Sequence, residues 1–311
     1  MIASRMTTRG ESDVTIDGRT RLAGVIGWPV EHSLSPVMHN AVYAALDLNW
    51  AYIPMALEDE SALPALVATV RALGFVGFNV TMPYKHTMLA LCDEVAMFAQ
   101  MAGAVNTVHC IDGKLMGYNT DGRGLLESLS TGADFVPADK RVVVLGTGGA
   151  AGGAVVAFIL GKVARLTVAG RSVERAEELL SRSRQYLRGV EVQAVALPDD
   201  AEQAVREADL VVNATSLGMR SGDPSPIPTE WLHFGQIVCD MTYACADTAL
   251  LAGARAVGAV AINGLGMLVA QGALSVDIWM GSAQIRTPRD VMRDAALQSL
   301  KASRLRLAGV R

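Results

Sequence analysis

The stretch that most limits the fold is Val142-Val143-Val144-Leu145 running directly into Gly146-Thr147-Gly148-Gly149-Ala150-Ala151. An apolar tetrapeptide, a glycine cluster and then small apolar residues read as a buried strand, a tight turn and a helix. The G-x-G-x-x-A spacing in that setting is the phosphate-binding turn of a Rossmann-type unit. Gly146, Gly148 and Gly149 allow close backbone approach to a pyrophosphate, and Ala150 opens a helix whose free N–H groups face it. A strand apolar on both faces needs a parallel sheet with helices on each side. The flanking sequence supplies one: strands at Arg165–Ala169, Val190–Leu197, Leu210–Ala214, Ile237–Asp240 and Ala259–Ile262 alternate with helices about Val173–Leu187, Asp199–Glu207 and Thr248–Val257.

The next strand of this unit ends at Ala169-Gly170-Arg171-Ser172-Val173-Glu174-Arg175. A dinucleotide site for NAD carries Asp or Glu near this point to hold the ribose hydroxyls. Arg171 and Arg175, with Ser172 between them, stand there instead, and two guanidinium groups suit a 2′-phosphate. NADP is therefore favoured over NAD. A merely solvated basic helix start is the competing account, and it leaves the missing acid unexplained.

The first half of the chain repeats the strand and helix alternation. Leu22–Gly27 is an apolar run stopped by Trp28-Pro29, and His32-Ser33-Leu34-Ser35-Pro36 offers Ser35 as an N-cap and Pro36 as the first helical residue. That helix start gathers the Ser33 and Ser35 hydroxyls with free N–H groups. A strand at Asn49–Met55, a helix at Ser61–Leu73 and a strand at Phe75–Val80 follow, which makes a parallel sheet. The third strand continues as Thr81-Met82-Pro83-Tyr84-Lys85, so Lys85 sits just past a strand end, where ligands of open α/β sheets bind. Asn79 and Thr81, two apart, share a face on an extended segment. Helices about Thr87–Met101 lead to a hairpin, in which Gly103–Val108 and Lys114–Tyr118 flank Asp112-Gly113. Asn119-Thr120-Asp121-Gly122 then opens a helix to about Ser130. Residues 1–121 form one expected domain, 122–263 a second, and the closing helices, Met267–Met280 and Pro288–Ser303 within 264–311, pack back on the first, with the helix from Asp121 as hinge.

With 311 residues, a net charge of −4 and a pI near 5.8, the chain offers no basic surface for nucleic acid or an anionic membrane. A small soluble ligand is the expected partner, bound by a monomer or homodimer. Val142–Gly161 and Ala256–Val276 are long, uncharged spans, yet the glycines of the first and Asn263, Gly264, Gly266, Gln271 and Gly272 of the second argue against membrane helices. Met1–Arg21 lacks the apolar core of a secretory signal and reads as a polar tail. Cys92, Cys110, Cys239 and Cys245 match no zinc spacing, so no metal is expected and the thiols fit a cytoplasmic protein.

Taken together, these stretches resemble the shikimate dehydrogenase family over about Ile16–Met292. The motifs that carry the resemblance are Val25–Val30 with His32–Pro36 and His39-Asn40, Gly77–Lys85, Ala104–Thr107, Gly117–Gly122, the glycine loop, Asn213-Ala214-Thr215-Ser216-Leu217-Gly218, and Gly264-Leu265-Gly266-Met267-Leu268 with Gln271-Gly272. The resemblance implies reversible NADPH-dependent reduction of 3-dehydroshikimate to shikimate, with Lys85 and Asp121 as the catalytic pair beside the C3 oxygen. It further implies that Ser33 and Ser35 bind the carboxylate, that Asn79, Thr81, Asn106 and Gln271 hold ring hydroxyls, and that Tyr243 lies near the carboxylate and nicotinamide. Thr215 and Gly264 join the cofactor set. A lysine that donates a proton to the oxygen where negative charge develops is what reduction of a ketone requires.

The chain departs from the family at three places. Gly170 stands where asparagine is usual, Ala151-Gly152 replaces a more polar pair, and Tyr243-Ala244-Cys245-Ala246 lacks the proline that commonly follows the tyrosine. His32, His39 and His86 are expected to cap or pack. Quinate or aminoshikimate dehydrogenases share the same pair, a folate-dependent dehydrogenase has a similar build without the Ser-x-Ser and Gln271 set, and a binding protein without turnover would have no reason to keep Lys85 and Asp121.

Overall fold

The computed structural model describes residues 16–187, 189–243, 245, 247–281 and 286–307. Residues 1–15 of the expected polar tail lie outside them, as do Ala244 and Ala246 of the stretch without proline. The first sheet contains β1 (Arg21–Gly27), β2 (Trp50–Ala56), β3 (Gly77–Val80), β4 (Glu94–Val95), β5 (Thr107–Ile111) and β6 (Lys114–Tyr118) in the order β2-β1-β3-β5-β6-β4. Helices α1 (Ser35–Ala45), α2 (Leu63–Ala72) and α3 (Met97–Ala102) connect them. β1 runs parallel to β2 and β3, whereas β5 is antiparallel to β3 and β6. The hairpin turn sets β6 against β5: Asp112 and Gly113 both have positive φ, 50° and 75°, the backbone of a type I′ turn.

Two local readings change. β4 falls inside a segment that reads as helical from sequence, because the Asp93 carboxylate accepts the Leu115 N–H at 2.7 Å and draws the chain onto the edge of β6. α1 also begins one residue early. Leu34 is the cap, Ser35 is already helical, and the Ser33 hydroxyl accepts the Ser35 N–H at 3.2 Å. Ser35 therefore caps no amide from its own position, and its own N–H is taken by Ser33.

Helix α4 (Asp121–Ala133) leads to the second sheet, built from β7 (Arg141–Leu145), β8 (Arg165–Gly170), β9 (Glu191–Ala196), β10 (Leu210–Asn213), β11 (Ile237–Asp240) and β12 (Val260–Asn263). Its order is β12-β11-β10-β7-β8-β9, every pair parallel. This is the doubly wound order, with the switch point between β7 and β10. Helices α5 (Gly149–Leu160), α6 (Val173–Ser181), α7 (Glu202–Glu207) and α8 (Ala249–Ala256) cover its faces. The closing helices α9 (Leu265–Met280) and α10 (Arg289–Leu307) return to the first lobe, where Val276, Trp279, Met292 and Ala296 share a core with Val25, Met38 and Tyr43. No helix among the described residues is long and apolar enough to cross a membrane, and the span from Ala256 to Val276 divides between β12 and α9.

The lobes meet through glycine. A Cβ on Gly122 would lie 2.2 Å from the Gly153 carbonyl oxygen, and one on Gly152 would lie 2.4 Å from that of Ala102. Only residues without a side chain let α5 seat this closely on α3 and α4. Its N-terminus is thereby fixed over the end of β3.

Beneath that end lies His39, fully buried, stacked on Tyr52 with ring centroids 4.1 Å apart and contacted at Nδ1 by the Tyr43 hydroxyl at 3.4 Å. Its role is packing. Burial lowers its pKa from the ordinary 6.5 to about 3. Between these values the unfolded chain binds a proton that the folded chain does not, so stability rises with pH across the window and is lost as pH falls below 6.5. The slope contributed by His39 should approach about 1.4 kcal/mol per pH unit. Denaturant unfolding at pH 8, 6 and 5 should record that loss, and His39→Phe should remove it; an unchanged slope in the variant would show that His39 is not held neutral.

Candidate active site

Between the lobes, at the C-terminal ends of β1, β3, β11 and β12, lies a cleft of about 180 Å³. Ser33, Ser35, Asn79, Thr81, Lys85, Asn106, Asp121, Tyr243 and Gln271 all line it, together with Val25, Val80, Ala150, Met241, Gly264, Met267 and Leu268. All nine residues expected to act on the substrate are therefore brought to one place, although Ser33 and Gln271 are 238 positions apart in the chain.

Lys85 Nζ donates to Asp121 Oδ2 at 2.7 Å, with the two side chains 16% and 5% exposed. The lysine is the more open of the two, and both line the cleft. Asp121 is fixed from three sides. Asn106 Nδ2 donates to its Oδ1 at 2.8 Å, its own N–H donates to Asn119 Oδ1 at 3.0 Å, and Asn119 in turn donates to the Ala104 carbonyl at 2.9 Å. The lysine stem packs against the glycine loop, since a Cβ on Gly149 would stand 3.4 Å from Lys85 Cδ. Gly149 thus serves the lysine as well as the turn.

Two asparagines expected to hold ring hydroxyls are largely occupied within the protein. Asn79 Nδ2 faces the Asn106 carbonyl, Thr107 Oγ1 and Ser275 Oγ at 3.1, 3.1 and 2.9 Å, while its Oδ1 accepts from the Tyr52 hydroxyl at 2.8 Å. Asn106 Oδ1 accepts the Thr120 N–H at 2.8 Å, and Asn106 Nδ2 also faces Gln271 Oε1 at 3.3 Å. Both amides hold the frame of the site, which leaves Thr81, Gln271 and the two serines freer to meet a ligand. Tyr52, Thr107, Thr120 and Ser275 are participants that the sequence reading missed. Thr107 and Thr120 lie inside motifs that carry the resemblance and Ser275 lies one helical turn beyond Gln271, so a signal existed for these three; Tyr52 carried none. Burial raises the Tyr243 phenol pKa, keeping it a neutral donor.

Most of the cofactor residues gather at the tips of β7, β8 and β10, with Ala150 and Gly264 on the cleft wall. Gly146 has φ of 110°, Gly148 caps α5 in an extended conformation, and Thr215 packs against Gly146 while its hydroxyl donates to Asn213 Oδ1 at 2.7 Å. Thr215 therefore shapes the loop. Gly264 lines the cleft where a Cβ would meet the Met241 carbonyl oxygen at 2.1 Å. At the start of α6 the Ser172 hydroxyl accepts the Arg175 N–H at 3.3 Å and donates to Glu174 Oε2 at 2.7 Å. Glu174 is thus drawn to Ser172, and Arg171 and Arg175 are exposed and enter no salt bridge among the described residues. A glycine turn at a helix N-terminus with two uncommitted guanidinium groups nearby fits a dinucleotide carrying a 2′-phosphate. Elsewhere, burial pushes Cys92 and Cys239 up to about 12 and Cys110 to about 11, so these thiols are inert, and His86 Nδ1 hydrogen-bonds the Gly103 carbonyl at 2.6 Å.

A parallel sheet with a glycine turn at its switch point, facing a polar cleft that holds a lysine–aspartate pair, defines a two-lobed, dinucleotide-dependent oxidoreductase. The model of the shikimate dehydrogenase substrate binding domain matches residues 25–108, and that of shikimate / quinate 5-dehydrogenase matches residues 133–219. The NADP(+) shikimate dehydrogenase of Geobacter metallireducens is 43% identical over 287 residues, covering 92% of this chain and 99% of its own. A shikimate dehydrogenase crystallised with NADP+ superposes with a TM-score of 0.84 at 35% identity, covering 94% of this chain and 99% of that one. The Thermus thermophilus enzyme in complex with NADP(H) and shikimate gives 0.77 at 35% identity, covering 89% and 99%. The chain belongs to the shikimate dehydrogenase family.

Proposed function

We propose that this chain catalyses the reversible NADPH-dependent reduction of 3-dehydroshikimate to shikimate, a step toward chorismate and the aromatic amino acids. The observation that carries the reading is the 2.7 Å pair of Lys85 and Asp121, set in a polar cleft against the glycine turn. In the direction of reduction the Lys85 ammonium donates its proton to the ketone oxygen as negative charge develops there, and Asp121 holds the ammonium and passes on the replacement proton. Asn106 keeps Asp121 in place. Ser33 and Ser35, at the opening of α1, take the substrate carboxylate, and Asn79, Thr81, Asn106 and Gln271 surround the ring hydroxyls, with Tyr243 closing the carboxylate end.

Gly146, Gly148, Gly149 and Ala150 would hold the pyrophosphate of NADP, Arg171, Ser172 and Arg175 its 2′-phosphate, and Thr215 and Gly264 the wall beside it. The bound cofactor supplies the hydride; the chain aims the ketone and manages the proton. We divide the chain into a substrate-binding domain of residues 1–121, joined by 264–311, and an NADP-binding domain of 122–263. The core shared by α9 and α10 with α1 and β1 supports the return of the C-terminus to the first domain. The enzyme works in the cytoplasm, as a monomer or homodimer.

Comparison of kcat/KM for shikimate and quinate, each with NADP+ and NAD+, tests the reading. Shikimate with NADP+ should be the best pair. A preference for quinate with NAD+ would overturn it, and ligand binding without NADPH formation would mark a binding protein.

A further inference from the structure

Against the end of β8 stands a side chain of the glycine turn, Thr147, that the cofactor reading leaves without a task. A Cβ built on Gly170 would lie 2.7 Å from Thr147 Cγ2 and 3.2 Å from the Ser172 carbonyl oxygen. Real Cβ contacts essentially never fall below 3.0 Å, so any side chain at 170 requires Thr147 to shift, while the Ser172 carbonyl oxygen crowds it from the other side. The backbone at Gly170 is not left-handed, so the obstacle is space alone. Thr147 belongs to the glycine turn, which is pinned where the Gly146 N–H donates to the Ala169 carbonyl at 2.8 Å and where Gly146 adopts φ of 110°. Being β-branched, Thr147 has two heavy atoms on Cβ, so two of its three staggered χ1 positions put Cγ2 or Oγ1 against position 170. It is half-buried, and its hydroxyl has no hydrogen-bond partner in the protein among the described residues.

Gly170 is at the strand end where a site for NAD places the acid that grips the ribose hydroxyls. We propose that Thr147 is a specificity-determining residue: its γ substituents fill the space that such an acid would need and so hold the site to nucleotides gripped by Arg171 and Arg175. This rests on the NADP reading above. On this account the preference has two parts, two cations that attract a 2′-phosphate and a threonine that bars the carboxylate which would favour a free 2′-hydroxyl. Replacing Gly170 alone by Asp then cannot make a site for NAD, because the new carboxylate cannot be seated. It can be seated only once position 147 is reduced.

Calorimetric binding of 2′,5′-ADP and 5′-AMP, which isolates the adenosine end from turnover, tests this in the wild type, Gly170→Asp, Thr147→Ala and the Thr147→Ala/Gly170→Asp double variant. Gly170→Asp should weaken both nucleotides. The double variant should bind 5′-AMP about 10-fold tighter than Gly170→Asp, the gain of about one good hydrogen bond to a charged group. Gly170→Ala, which adds only the Cβ, guards against a misfolded Asp variant: it should weaken 2′,5′-ADP in the Thr147 background and have little effect in the Thr147→Ala background. Equal 5′-AMP affinity in Gly170→Asp and the double variant, or an equal effect of Gly170→Ala in both backgrounds, would overturn the assignment. A wild type that binds 5′-AMP as tightly as 2′,5′-ADP would instead refute the NADP reading, whatever Thr147 does.

Discussion

Lys85→Ala should lower kcat by about 10²- to 10⁴-fold, the usual contribution of a positioned acid, while KM for shikimate changes far less. Lys85 is the one cation among the residues lining the cleft, so no neighbour can replace it as proton donor. Its loss also leaves Asp121, 4% exposed, as a carboxylate held only by Asn106 and its own backbone, facing an oxygen that becomes negative in the reaction. On the proposed reading the binding energy lies elsewhere, with Ser33, Ser35, Thr81 and Gln271, and the split between kcat and KM follows from that. Steady-state kinetics in both directions, with calorimetric shikimate binding to confirm an intact cleft, checks this. A variant with near-normal turnover would remove Lys85 from the mechanism.

Replacing Arg171 and Arg175 together by alanine should raise KM for NADP+ by about 10²-fold or more and leave KM for NAD+ nearly unchanged. Hydrogen bonds to charged groups contribute about 1.5–3 kcal/mol each, and solvent exposure places these two toward the lower end. Neither guanidinium is engaged by another side chain in a salt bridge among the described residues, so nothing in the protein is broken by their removal. The wild-type preference should weaken in high salt for the same reason. Equal losses with both cofactors would mean that the arginines support the fold at the start of α6 and do not read the 2′-phosphate.

Much of the fold is legible because it rests on local chemistry. The strand into the glycine loop, the alternation behind it and the Asp112-Gly113 turn each announce themselves within a few residues. The membership of the cleft is legible in two ways: spacing places Lys85, Asn79, Thr81 and the two serines at a strand end and a helix start, and the family resemblance supplies Asp121, Asn106, Tyr243 and Gln271. What spacing does not reveal is how those side chains are spent. Asn79 meets Ser275 across 196 positions, and only that contact, with those to Tyr52 and Thr107, turns its amide from a free ligand into part of the frame. The same holds for Asp93, whose bond to the Leu115 N–H makes a strand of a segment with helical composition. Ser35 shows a smaller version: expected as the cap, it is already helical, and its N–H is taken by the Ser33 hydroxyl. Gly170 is the clearest case: from sequence it is a missing asparagine, and only in three dimensions is its place seen to be filled by Thr147.

The central claim is that the substrate's reacting oxygen meets Lys85 and Asp121 while its carboxylate lies at the Ser33 and Ser35 end. A crystal structure with shikimate and NADP+ bound measures this directly. It should place the C3 oxygen within about 3.2 Å of Lys85 Nζ, in hydrogen-bond reach of Asp121, with both serine hydroxyls on the carboxylate. A ring bound the other way round, with its carboxylate on Lys85 and the C3 oxygen against the serines, would contradict the account.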